Sequence, residues 1–190
     1  MLFNLSDVAI AGKYADYIAL GAVGSTALLV SLFTGILIGM GAGVNVRTAH
    51  QLGAEKTSGS SETVARTVYS GLIVCLIIGI ILCLVCNIFS RPMLETLKTK
   101  DELIESAVLY LKIYALGMPA MAVYNFGNGV LSACGETKKP LVYLSIAGVL
   151  NVILNIFFVV VCKKAADGVA IASVIAQYLS ASMITVSYTH

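Results

Sequence analysis

Five long stretches of this chain carry no formal charge: Tyr17 to Val46, Thr67 to Ser90, Ile113 to Gly135, Leu141 to Val161 and Gly168 to His190. A segment of roughly 20 mostly apolar residues is needed to cross a hydrocarbon core of about 30 Å, and each stretch reaches that length. Lipid offers no partner to a backbone N–H or C=O, so such segments must form helices that satisfy their own polar groups. The chain therefore reads as an all-α integral membrane protein. Its composition agrees, with 58% hydrophobic and 12% charged residues and a mean hydropathy of +0.93, against about 25% charged residues in soluble domains.

The 12 basic and 10 acidic residues lie at the edges of these stretches or between them, with one exception, Asp7. It stands alone in Met1 to Gly12, a segment too short to span by itself. Leu2, Phe3, Leu5, Val8 and Ile10 mark that segment as the outgoing end of another helix, which predicts a truncated sixth crossing. The expected spans are residues 1–12 (partial), 17–46, 64–90, 104–134, 140–161 and 167–188, forming one membrane lobe over residues 1–190. No cleavable leader is expected, because the first segment lacks a basic flank and runs directly into Lys13. A net charge of +2, with no more than two consecutive basic residues, argues against nucleic acid as a partner. The lipid bilayer is the expected partner surface. Lysine and arginine fall on both sides of the spans, so loop charge does not set the orientation.

Between the spans, Arg47 to Arg66 reads as a polar loop with Gly53, Gly59 and four hydroxyl residues from Thr57 to Ser61. His50 in it reads as a solvated residue. Pro92 is expected to end the second complete span, and Thr99 with Glu102 to form a capping box for the next helix. Pro119 is expected to kink the third. Glycines 39, 41 and 43 suit close helix packing in lipid or a locally irregular helix end. The five cysteines lie in or beside apolar stretches, and the lone Cys83-x-x-Cys86 has no further ligands beside it, so neither disulfides nor zinc are expected.

An ionisable side chain inside a span marks an ion or substrate pathway by default, which puts Asp7 first. Asn151 and Asn155 stand four apart, on one face of one helix, where two amides can meet a cation or a polar ligand; interhelical hydrogen bonding is the alternative. Asn125 with Asn128, and Ser173 with Gln177, give two further spans a polar face. The serine–histidine, paired-aspartate and histidine–glutamate sets of intramembrane enzymes are missing from the spans, so the chain is read as a non-enzyme without a cofactor.

Together these residues resemble the multidrug and toxic compound extrusion (MATE) transporters. The resemblance is carried by Asn4-Leu-Ser-Asp7 followed by Gly12, by Gly39-Met-Gly41 through Gln51-Leu-Gly-Ala54, by Leu131-Ser-Ala-Cys-Gly-Glu-Thr-Lys-Lys-Pro140, by Asn151 with Asn155, and by Gly168-Val-Ala-Ile-Ala-Ser173. It implies a six-helix bundle with a truncated first helix that is the amino-terminal lobe of a twelve-helix exporter of the DinF-like bacterial branch, with the carboxy-terminal lobe as its missing partner. It further implies secondary efflux of cationic or amphipathic small molecules in exchange for protons or sodium ions, in a bacterial cytoplasmic (inner) membrane. The cation-coupling residues it implies are Asp7, Asn151, Asn155 and Ser173, where sodium would also bind. Phe3, Asn125, Asn128 and Gln177 are expected to line the substrate cavity. Asn155 departs from the family pattern, which has a carboxylate there, so one negative charge is expected in place of two. A complete six-helix transporter or channel acting as a homodimer is the alternative reading.

Overall fold

The computed structural model describes the backbone of residues 2–58 and 62–189 and the side chains of residues 6–54 and 64–187. Seven helices follow one another: α1 (Leu2–Tyr14), α2 (Tyr17–Ser58), α3 (Glu62–Thr96), α4 (Asp101–Ala115), α5 (Met118–Ala133), α6 (Lys138–Ile156) and α7 (Ala166–Thr189). No strand occurs among the described residues. The last turn of α6 widens into a π-helical segment, Phe157–Val161.

Among the described residues, four helices are long and apolar enough to cross a membrane alone, over Tyr17–Ala54, Val64–Thr96, Lys138–Val161 and Ala166–Ser187. The third uncharged stretch is divided between α4 and α5, which meet at 45° and pass the same test as a pair. The break falls at Leu116 and Gly117, and Pro119 lies in the first turn of α5. A missing N–H costs nothing there, so the bend expected at Pro119 is present as a 45° break just ahead of it, with the proline in the first turn of the second helix.

Two other boundaries differ from those expected. Residues 47–58 remain helical, making α2 a rod of 42 residues; Ala, Gln, Leu, Glu, Lys and Arg predominate from Arg47 to Lys56 and favour helix. Pro92 lies inside α3, which continues to Thr96. The end of α3 is closed by Lys98 in the left-handed region (φ 54°), with Lys98 N–H donating to Glu95 O at 2.9 Å and Thr99 N–H to Leu94 O at 3.1 Å. Thr99 therefore closes α3 and forms no capping box; α4 starts without a side-chain cap. Gly135 (φ 86°) ends α5 by the same pair of bonds, Gly135 N–H to Ser132 O and Glu136 N–H to Leu131 O.

Helices α2 and α3 pack on each other and both pack on α4 and α5. Gly41 of α2 and Gly129 of α5 bring those helices into backbone contact: a Cβ at Gly41 would stand 2.6 Å from the Asn125 carbonyl oxygen. The α3 helix turns Ile73, Ile77, Ile80, Ile81, Leu84 and Ile88 outward, as a lipid-facing helix should. Helices α6 and α7 pack together with α1 against both, and α7 also packs on α4 and α5.

Candidate coupling site

Asp7 in α1 is fully buried, and four side-chain donors from three other helices converge on its carboxylate. Ser173 in α7 donates its hydroxyl to Oδ2 at 2.7 Å, and Tyr110 in α4 donates to the same oxygen at 2.9 Å. Asn155 Nδ2 in α6 donates to Oδ1 at 2.8 Å, with Asn151 Nδ2 more distant at 3.5 Å. A carboxylate has two oxygens and about four lone-pair sites, so these donors fill its capacity. All five residues have zero exposure.

The donors are also bound to one another. Asn151 Nδ2 donates to Ser173 Oγ at 3.0 Å, and Asn151 Oδ1 accepts from Ser6 Oγ at 2.8 Å and from Asn155 Nδ2 at 3.3 Å. One group is left over: Asn155 Oδ1 is buried and has no hydrogen-bond partner among the described residues. Buried polar atoms are normally paired, and this acceptor is the exception within the cluster.

Helical geometry explains the assembly. Asn151 and Asn155 are one turn apart on α6 and reach α1 from the same face, upstream of the π turn. Ser173 and Gln177 are one turn apart on α7. Tyr110 stacks on Tyr114, one turn on along α4, with ring centroids 5.9 Å apart.

The structure thus unites Asp7, Asn151, Asn155 and Ser173 and places the other candidates elsewhere. Asn125 is buried against α2 and donates to Met121 O at 2.8 Å. Asn128 is half-buried and accepts from Ser132 at 3.4 Å. Gln177 is buried with its carboxamide over Gly117, at the break between α4 and α5. The side chain of Phe3 lies outside the described residues. Sequence reasoning missed Tyr110 and the role of Ser6. Tyr110 sits on the apolar face of an amphipathic helix, and only its spacing from Tyr114 set it apart.

Among the described residues no cluster of three His, Cys, Asp or Glu side chains could hold a metal ion. The donor set around Asp7 is one carboxylate, two amides and two hydroxyls, which suits a proton or an alkali cation better than a transition metal. Both amides present nitrogen to the carboxylate.

A profile of the family described as MatE matches residues 1–157. The chain belongs to the MatE family. Among curated relatives it is 35% identical over 88 residues to the probable multidrug resistance protein YpnP of Bacillus subtilis, covering 46% of this chain and 20% of the relative. It is 25% identical over 177 residues to the DNA damage-inducible protein F of Escherichia coli, covering 93% of this chain and 38% of that protein. A crystal structure of MATE in the bent conformation superposes with a TM-score of 0.90 at 22% identity, over 97% of this chain and 40% of that one. The MatE chain thus shares the fold of part of that structure, and spans about a fifth to two fifths of the length of these proteins.

Proposed function

We propose that this MatE chain forms one lobe, the amino-terminal one, of a secondary transporter that exports cationic or amphipathic small molecules across a bacterial cytoplasmic membrane in exchange for protons or sodium ions. A carboxy-terminal lobe supplies the rest of the pathway. The observation that carries this reading is the fully buried Asp7, held by donors from α4, α6 and α7. A buried charge that changes state alters every bond made to it, and so favours a different packing of the helices that make those bonds.

In this reading Asp7 is the coupling residue. When it is ionised, the four donors compensate its charge. When a proton or a cation arrives, the donors are released in part, and Asn155 Oδ1 is the nearest spare acceptor. Asn151, Asn155 and Ser173 hold the carboxylate in place, and Asn125, Asn128 and Gln177 line the route of the exported compound. The names of relatives such as the probable multidrug resistance protein YpnP support export of foreign compounds.

The test is drug export from a hypersensitive bacterial host by the full-length protein. Asp7→Asn is expected to abolish export with normal membrane levels. Asn155→Ala, which leaves three donors, is expected to retain export at a reduced rate. Normal export by Asp7→Asn would overturn the assignment.

A further inference from the structure

A second feature lies far from Asp7 in the fold, where α2 leaves the apolar region and α3 enters it. Between the two helices runs a groove of about 590 Å³, within the size range of about 300–1,000 Å³ common to small-molecule sites. Arg47 and Arg66 line its outer end, and Met40, Val74 and Ile78 line its inner end.

Arg47 is the first charged residue after the uncharged stretch of α2, and Arg66 the last before that of α3. The two helices are antiparallel and consecutive, so both guanidinium groups stand at the same membrane boundary, the level of lipid phosphates. Both arginines are exposed. Neither pairs with an acidic side chain among the described residues, unlike Arg91, which pairs with Glu95 and Glu105.

An independent sign of a ligand is Thr48. It lines the groove, is only 2% exposed, and its hydroxyl has no hydrogen-bond partner among the described residues. Leaving a buried hydroxyl unpaired costs about 1–3 kcal/mol, and an acceptor oxygen entering beside Arg47 would satisfy it.

We propose that this groove binds an anionic phospholipid of the surrounding membrane, with its phosphate between Arg47, Arg66 and Thr48 and an acyl chain along Met40, Val74 and Ile78. Arginine forks suit phosphate oxygens, and basic pockets between spans recognise anionic head groups. A free phosphate would satisfy the arginines but leave the apolar half of the groove unused. A zwitterionic choline lipid would bring a second cation towards two guanidiniums.

The test is native mass spectrometry of the full-length protein in detergent, titrated with dioleoyl phosphatidylglycerol, dioleoyl phosphatidylcholine or inorganic phosphate. Phosphatidylglycerol is expected to bind at least about tenfold more tightly than phosphatidylcholine, and Arg47→Gln with Arg66→Gln to remove that preference. Thr48→Val is expected to weaken phosphatidylglycerol binding a few-fold, and millimolar inorganic phosphate to leave the bound lipid in place. Equal binding of the two lipids, or unchanged binding by the double glutamine variant, overturns the proposal. Displacement by inorganic phosphate also overturns it, and assigns the groove to a soluble anion. Should the glutamine pair fail to fold, Arg47→Lys with Arg66→Lys decides: charge without the fork must still lose affinity several-fold, and unchanged affinity overturns the site.

Discussion

Ser173 donates its hydroxyl hydrogen to Asp7 at 2.7 Å, across 166 positions of sequence, while accepting from Asn151 at 3.0 Å. One oxygen thereby joins α1, α6 and α7. Ser173→Ala removes a donor from Asp7 and an acceptor from Asn151 at once. Groups buried without partners cost about 1–3 kcal/mol each, so the melting temperature in detergent is expected to fall. In Asp7→Asn the same substitution should cost less, because residues in one network are coupled. Additive losses in the double variant would argue that the two residues act separately.

Tyr110→Phe keeps the ring that stacks on Tyr114 and deletes only the hydroxyl that reaches Asp7. The fold is expected to survive with a loss of about 1–3 kcal/mol, while export falls more than the protein's abundance does. Export and membrane level, measured together, separate the two effects.

Asn155→Asp would put a second carboxylate beside Asp7, where the amide nitrogen is now 2.8 Å away. Two adjacent carboxylates cannot both remain charged without a shared proton or a cation. This variant should melt lower than the wild type in sodium-free buffer and be restored by sodium ions. A melting curve unmoved by sodium would show that the cavity cannot hold the ion.

Gly41→Ala is expected to disrupt the contact of α2 with α5, since its Cβ would lie 2.6 Å from the carbonyl oxygen of Asn125. Backbone on both sides leaves little room to yield. Gly39→Ala has open space around its Cβ and should be neutral or stabilising by up to about 1 kcal/mol, as alanine is the better helix former. Thermal melts of the two variants, two residues apart on one helix, compare packing with propensity directly.

The spans were legible because lipid imposes a length and forbids charge, and both are written in composition. Asp7, Asn151, Asn155 and Ser173 stood out, like Asn125, Asn128 and Gln177, as polar residues that a lipid-facing helix would not carry, and it was the family resemblance that grouped those four. Tyr110 did not, because a tyrosine on an apolar helix face is equally at home in packing, and its partner is 103 positions away. The continuation of α2 past Arg47 was hidden by its polarity, which signals departure from lipid without ending a helix. Pro92 and Thr99 misled because each has two local uses. Thr99 closes the helix before it, through backbone bonds that no side chain announces.

Side chains of α1, α4, α6 and α7 meet at one buried carboxylate, that of Asp7. Under the coupling role proposed for Asp7, a change in its charge reaches α1, α4, α6 and α7 together. Close-packed helices shift between discrete arrangements and do not deform by degrees, so no one of them can answer the change alone. The four helices are then expected to respond as one body to a proton or ion bound at Asp7.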